Sequence, residues 1–382
     1  MARTIDHIQV AGGAKRPDHF PSKSVRLARA RKGLANDGDH SYPDQGGSLR
    51  DSILSGNGLS DPHGRRFDYL RLSLTDVCNF RCSYCLPDGY RKAHGAPTNL
   101  SVAEIERLVR GFAALGLWKV RLTGGEPTLR PEFDAIARAV SAVPGIRRLA
   151  MTTNGYRLAE RSQAYFDAGI SAINISIDSL RTAQFHSITG HDRLGEILDG
   201  VAACRDAGFD SIKINTVLMK GINDGELDDF IDFVAERDLA LRFIEVMRTN
   251  DNAAFFEARH LAGQSVIDRL EARGWSRRTR KMGDGPAVEY AHAGAKGRIG
   301  IIAPYAKDFC SSCNRLRVSA SGKLHLCLFG DGGIDLRDLL QRDDQQAELI
   351  DRITALVGTK AASHDLANGN SGATPHLASI GG

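Results

Sequence analysis

The sequence predicts an α/β protein: an incomplete (β/α)6 barrel, three-quarters of a TIM-type barrel, followed by a smaller C-terminal domain. Three observations predict it. Six short runs rich in Val, Ile and Leu recur between residues 69 and 246, amphipathic helical patterns separate them, and after about residue 258 this alternation gives way to Gly-rich turns. Apolar runs of that kind suit strands buried on both faces. Alternation with helices argues for a parallel sheet with right-handed crossovers. Six units are too few to close an eight-stranded barrel, so an open, curved sheet is expected.

In chain order, residues 1–62 are dominated by Gly, Ser, Asp, Pro, Lys and Arg without apolar periodicity, and read as a disordered extension. Strands are expected at Tyr69–Leu74, Lys119–Leu122, Arg148–Thr152, Ile173–Ile177, Ile212–Leu218 and Leu241–Val246. Ser101 and Glu104 form a capping box for a helix whose apolar stripe is Val102, Ile105, Leu108, Val109, Phe112 and Leu115. Pro131 suits the first turn of the next helix, ahead of Phe133, Ile136 and Val140. Glu226–Arg237 carries Leu227, Phe230, Ile231 and Val234. Beyond the barrel, His260–Arg273 reads as a helix. Arg277–Met282, Val288–Tyr290 and Ile299–Ile302 read as short strands, and Leu336–Leu339 and Gln346–Val357 as helical. The final 20 residues are polar. The domains are thus 1–62, 63–258 and 259–382.

At 42% hydrophobic and 25% charged, the 382 residues can bury a large core. A net charge of +4 does not suggest a nucleic-acid binder. The basic run Arg277–Lys281 reads as a solvated face. No stretch approaches 18 consecutive apolar residues, so no membrane span is expected.

Six of the seven cysteines fall into two triplets, Cys78-x3-Cys82-x2-Cys85 and Cys310-x2-Cys313 followed by Cys327. Neither contains a fourth cysteine, and no histidine is expected near enough to complete the set that a structural zinc site would use. Three thiolates can hold a four-iron cluster and leave one iron open to a ligand. Disulfides and a zinc ribbon are the alternatives, but the cysteine density is low and the Cys78–Cys85 spacing is wrong for a ribbon. Cys204, in a helical run, reads as a buried core thiol. The first triplet, the Gly124-Gly125-Glu126-Pro127 turn and Met247 all follow predicted strands, so catalytic groups are expected at the carboxyl ends.

CNFRCSYC together with GGEP resembles the radical S-adenosylmethionine (SAM) superfamily. FCSSCNRLRVSASGKLHLCLFG and the terminal Gly381-Gly382 narrow the resemblance to the GTP 3′,8-cyclase family of molybdenum cofactor biosynthesis, over about residues 64–382. The resemblance implies two [4Fe-4S] clusters, held by Cys78, Cys82 and Cys85 and by Cys310, Cys313 and Cys327. The C-terminal domain is then an accessory iron–sulfur domain. It implies SAM contacts at Tyr84, Gly125, Thr152, Ser176 and Met247. It implies GTP contacts at Arg71, Arg121, Lys213, Arg315 and Arg317, with guanine on the open iron of the second cluster, and no catalytic side chain beyond clusters and cofactor. The SAM-derived radical takes hydrogen from the ribose 3′ carbon, which then closes on C8 of guanine.

Three of those cations lie inside apolar strands, where a charge is expensive unless it is paired or binds a ligand. An internal salt bridge is the alternative. The Gly-Gly tail is implied to enter the active site, the alternative being an unconstrained end. The implied partners are a homodimer mate, an electron donor such as flavodoxin or ferredoxin, and a downstream cyclic pyranopterin monophosphate synthase. Reduced thiols point to the cytoplasm. Eight Lys/Arg against two Asp in residues 1–36 leave a transit peptide, and hence the mitochondrial matrix, as the alternative. The rival functions are another radical SAM reaction with an accessory cluster, on a peptide or cofactor, and a non-catalytic zinc-binding module.

Overall fold

The computed structural model describes residues 58–92, 95, 97–279, 285–330, 332–374 and 376–381. Most of the expected N-terminal extension, and Gly382, lie outside the described residues.

Six parallel strands follow one another in space as in sequence: β1 (Tyr69–Ser73), β2 (Lys119–Thr123), β3 (Arg148–Thr153), β4 (Ile170–Ser176), β5 (Ser211–Leu218) and β6 (Ala240–Glu245). The intervening helices are α1 (Val102–Ala114), α2 (Phe133–Ser141), α3 (Leu158–Asp167), α4 (Thr182–Thr189), α5 (Leu194–Ala207) and α6 (Leu227–Ala235). All six expected strands form. The period-2 pattern sorts each strand's side chains. Leu70, Leu72, Val120, Leu122, Ile173 and Ile175 join the core under the helices, while Arg71, Arg121, Asn174 and Ser176 alternate with them. α1 answers with Ile105, Leu108, Val109 and Phe112, all fully buried. Its capping box is formed in both directions between Ser101 and Glu104, a device worth about 1 kcal/mol. Cys204 is buried in the same core.

After β6 come α7 (Ala253–Arg259), α8 (Gln264–Ala272), β7 (Ser276–Arg277), β8 (Val288–Ala291), β9 (Arg298–Ile302), β10 (Arg315–Val318), β11 (Lys323–His325), β12 (Ile334–Asp335) and α9 (Gln346–Val357). These strands extend the barrel sheet at both edges, in the order β12-β11-β10-β1-β2-β3-β4-β5-β6-β9-β8-β7. β10 runs parallel to β1 and β9 parallel to β6, so the sheet continues unbroken across residue 258.

Several local expectations change. The fold begins before residue 63: Leu59 is 4% exposed, and its N–H donates to the Leu115 carbonyl at 3.1 Å. Pro131 lies just outside α2, and it is Pro127 that starts a 3-10 turn. The helix expected at His260–Arg273 is broken, with His260 closing α7 and Gly263 preceding α8. β10–β12 are too short and polar to stand out as strands. The polar C-terminal stretch is packed, with Leu366, Ala378 and Ile380 buried. Among the described residues no helix is long and apolar enough to cross a membrane.

Candidate active site

The loop after β1 carries Cys78, Cys82 and Cys85, and the GGEP turn after β2 holds it in place. The N–H groups of Gly125 and Glu126 donate to the carbonyls of Thr75 and Val77, each at 2.8 Å. Both glycines are needed for this approach. A Cβ on Gly124 would lie 2.4 Å from the Thr75 carbonyl oxygen, and one on Gly125 2.4 Å from that of Val77. Glu126, 0% exposed, locks the turn to β3. It accepts from the Thr128 N–H and hydroxyl (3.1 and 2.6 Å), the Thr153 hydroxyl (2.9 Å) and the Asn154 N–H (2.7 Å). Asn154 in turn donates to Asn79 inside the cysteine loop at 2.8 Å.

The three thiols open into a cavity of about 190 Å³ at the carboxyl ends of the strands. All five residues expected around SAM, Tyr84, Gly125, Thr152, Ser176 and Met247, line it. Tyr84 donates its hydroxyl to Asp178 at 2.9 Å, and burial pushes the Asp178 carboxyl up to about 6. Burial also pushes the thiols up, Cys78 to about 11 and Cys85 to about 12, with Cys82 raised as well. Deprotonating them therefore requires a compensating cation, which bound iron supplies.

The second triplet lies beyond the other edge of β1. Arg65 is buried and ties this loop to the fold, donating to the carbonyls of Cys310 (3.2 Å), Ala361 (2.6 Å) and Ala362 (2.6 Å). Burial would raise the Cys313 thiol, but Arg315 and Lys360 outweigh it and hold the thiol below its ordinary value. The expectation that no histidine lies near this triplet is corrected: His325 falls within its span, two residues before Cys327. The His364 N–H donates to Cys310, and its ring packs against Phe309 and Phe329. Among the described residues no three His, Cys, Asp or Glu groups are gathered as they would be around a single metal ion.

The parallel register sets Arg71 beside Arg317 and also beside Arg121. Arg121 is 4% exposed and donates to the Tyr69 hydroxyl at 2.5 Å and the Met151 carbonyl at 2.7 Å. Arg317 is 8% exposed and donates to the Gly381 carbonyl at 3.0 Å, which Arg71 also reaches at 2.9 and 3.1 Å. The described part of the tail lies against Arg71 and Arg317, and Leu377 and Ala378 line the cysteine cavity. Among the described residues none of Arg121, Lys213, Arg315 and Arg317 forms a salt bridge with a carboxylate. Within the described residues, then, the salt-bridge alternative raised for the strand cations has no support at Arg121 and Lys213.

Lys213 does not line the cysteine cavity. It lines a second pocket, of about 490 Å³, at the amino ends of the strands. Lys119, Arg148, Arg242, Arg277, Arg278 and Arg298 surround it there, and the charge run expected to be a solvated face contributes two of them. Burial, reinforced by Arg242, Arg121, Arg148 and Arg298, pulls the Lys213 ammonium down to about 6. Lys119, Arg148, Arg242 and Arg298 were missed in sequence. Lys119 had a signal, a basic residue two positions before Arg121 on the same strand face, whereas Arg148, Arg242 and Arg298 lie on strands that hold neither Arg121 nor Lys213.

A curved parallel sheet with a CxxxCxxC loop, a GGEP clamp and a shared carboxyl-end cavity defines a radical SAM enzyme, which uses SAM and a [4Fe-4S] cluster. The Radical SAM superfamily pattern matches residues 72–234, and the Molybdenum Cofactor Synthesis C pattern matches residues 239–366. The chain is 56% identical over 329 residues to a GTP 3′,8-cyclase of Aeromonas hydrophila, covering 85% of this chain and 96% of that protein. It is 55% identical over 324 residues to one from Stenotrophomonas maltophilia, covering 85% and 99%. The chain belongs to the GTP 3′,8-cyclase family. In fold it resembles Streptococcus suis SuiB bound to S-adenosylmethionine, with a TM-score of 0.53 at 14% identity over 79% of this chain and 71% of that one.

Proposed function

We infer that this chain cyclises GTP to (8S)-3′,8-cyclo-7,8-dihydroguanosine 5′-triphosphate, the first step of molybdenum cofactor biosynthesis. Family membership carries the activity. The observation that supports the arrangement of the site is the parallel pairing of β10 with β1. The register neighbours Arg71 and Arg317 on those strands support a site that joins the second triplet to the cysteine cavity.

When bound, SAM and the first cluster together supply a one-electron cleavage that yields a carbon radical. Cys78, Cys82 and Cys85 would hold that cluster. The carbonyls of the GGEP turn suit the SAM ammonium, since two of the turn's N–H groups are already taken. Ser176 and Thr152 offer hydroxyls for ribose or carboxylate, and Met247 a polarizable face for adenine. The carboxyl-end cavity, with Leu377 and Ala378 of the tail in its wall, would limit the water at the reacting centre.

Cys310, Cys313 and Cys327 would hold a second [4Fe-4S] cluster. The Cys313 thiolate is favoured by Arg315 and Lys360, and the cluster's open iron would take guanine. Arg71, Arg121, Arg315 and Arg317 would orient the nucleotide. Its phosphates would extend into the basic pocket, where Lys213 is joined by Lys119 and Arg242, partners that suit phosphate oxygens. We place the enzyme in the cytoplasm as a homodimer. A flavodoxin- or ferredoxin-like donor would reduce it, and a cyclic pyranopterin monophosphate synthase would take its product.

Anaerobic reconstitution followed by Mössbauer spectroscopy tests the cluster assignment. About eight irons per chain are expected, falling to about four in Cys313→Ser. GTP should perturb the magnetic resonance of the second cluster. Four irons in the unsubstituted chain, or cyclised nucleotide from Cys313→Ser, would refute a substrate-binding second cluster.

A further inference from the structure

Asn174 stands mid-strand on β4. It shares a face with Ala172 and Ser176, whereas Ile173 and Ile175 point into the core under the helices. Register sets it between Thr152 of β3 and Lys213 of β5. Thr152 lines the cysteine cavity and Lys213 lines the basic pocket, so Asn174, which lines neither wall itself, stands in register between a residue of each. Only 5% of it is exposed, and its amide oxygen has no hydrogen-bond partner among the described residues. Asn215, one step nearer the cavity on β5, has the same unpartnered oxygen. An unpaired buried amide is costly and Asn is a poor strand former, so neither folding nor propensity calls for Asn174 here. An acceptor held this way awaits a donor from a ligand.

The nature of that donor follows from this register position. On the GTP reading above, phosphates lie against Lys213 toward the amino ends, while SAM fills the carboxyl-end cavity. The part of the nucleotide between its phosphates and the SAM cavity is the pentose, whose donors are hydroxyls. We propose that Asn174 accepts a hydrogen bond from a ribose hydroxyl of GTP. It thereby selects ribonucleotides and holds the sugar's hydroxyl edge toward the SAM cavity. The proposal rests on the GTP reading and adds to it the residue that reads the sugar.

Calorimetric binding of GTP, 2′-deoxy-GTP and 3′-deoxy-GTP to the anaerobically reconstituted full chain tests it, with iron content as the measure of folding. The unsubstituted protein should prefer GTP over at least one deoxy analogue by about 3- to 10-fold, one neutral hydrogen bond. Asn174→Ala should abolish that preference by weakening GTP while leaving the deoxy analogue's affinity in place. Asn174→Asp, which keeps an acceptor oxygen of the same reach, should restore discrimination and serves if the alanine variant fails to take up iron. The proposal is overturned if the unsubstituted protein does not discriminate, or if the variants discriminate equally. It is also overturned if only SAM affinity changes, which would assign Asn174 to the SAM ribose. Failure of GTP itself to bind the unsubstituted protein is a separate result and would sink the GTP reading.

Discussion

Binding of GTP should draw a proton onto Lys213. In the ligand-free protein, burial and four guanidinium groups pull this ammonium down to about 6, so at pH 8 only about 1% of it carries a proton. The phosphates of GTP are fully ionised at that pH and favour the charged lysine. Uptake should approach one proton per nucleotide. It is measured by calorimetry at pH 8 in buffers of different ionisation enthalpy. Because the protonated form binds, affinity should fall by up to about tenfold per pH unit above pH 6, until the bound-state value is passed. Stability of the ligand-free chain should run the other way. The folded value lies below the unfolded one, so this group's contribution is full only at alkaline pH and is lost as pH falls toward 6. Lys213→Met, of similar volume, should remove the proton uptake and flatten the pH dependence of binding. No uptake by the unsubstituted protein, or equal uptake by Lys213→Met, would refute the reasoning.

The barrel was legible because its strands carry two messages at once. Runs such as Tyr69-Leu-Arg-Leu-Ser and Lys119-Val-Arg-Leu-Thr alternate a helix-facing apolar residue with a charged or polar one. That is strand periodicity and a ligand signal in the same five residues. The first cysteine loop and GGEP turn were legible for a related reason: each follows its strand directly, so local order in sequence becomes position at the carboxyl end. What could not be read is what distant pairing creates. Arg71 and Arg317 become neighbours only because β10 adds in parallel to β1, and β10 is four residues long. His364 reaches Cys310 by way of the C-terminal segment, which has no periodicity to place it.

The basic pocket was hidden by the same logic in reverse. The rule that catalytic groups gather at carboxyl ends holds for the cysteines, but it says nothing about a substrate longer than the barrel is deep. On the reading proposed above, GTP with its phosphates toward Lys213 would be such a substrate. Lys119, Arg148, Arg242 and Arg298 begin or nearly begin their strands, and in the sequence they resemble ordinary charged strand ends.

Arg317→Ala should weaken GTP binding by about 10- to 150-fold, the loss of one charge-assisted contact. It should not lower the melting temperature, because burial, Arg71 and Arg315 all oppose its charge; equal GTP binding would return Arg317 to a structural role. A chain starting at Gly58 should retain full turnover, whereas one starting at His63 should lose about 2 kcal/mol of stability with the buried Leu59, as read by urea denaturation. Cys82→Ser should abolish 5′-deoxyadenosine formation from SAM and dithionite, and substantial product would sink the assignment of the first cluster. Gly381→Ala should cripple cyclisation without destabilising the barrel. Gly381 has φ +67°, and a Cβ there would lie 2.3 Å from Cγ2 of Thr123, a buried side chain of β2 that cannot move aside. The left-handed conformation alone costs an alanine about 1–2 kcal/mol, so withdrawal of the tail is the cheaper response. Arg71 and Arg317 then lose the carbonyl that holds them, and kcat/KM for GTP should fall at least roughly tenfold at unchanged melting temperature. Adding Thr123→Ser removes the offending methyl group and should recover part of the loss. Full activity in Gly381→Ala, or no recovery in the double variant, would mean that the tail's position is incidental to the chemistry.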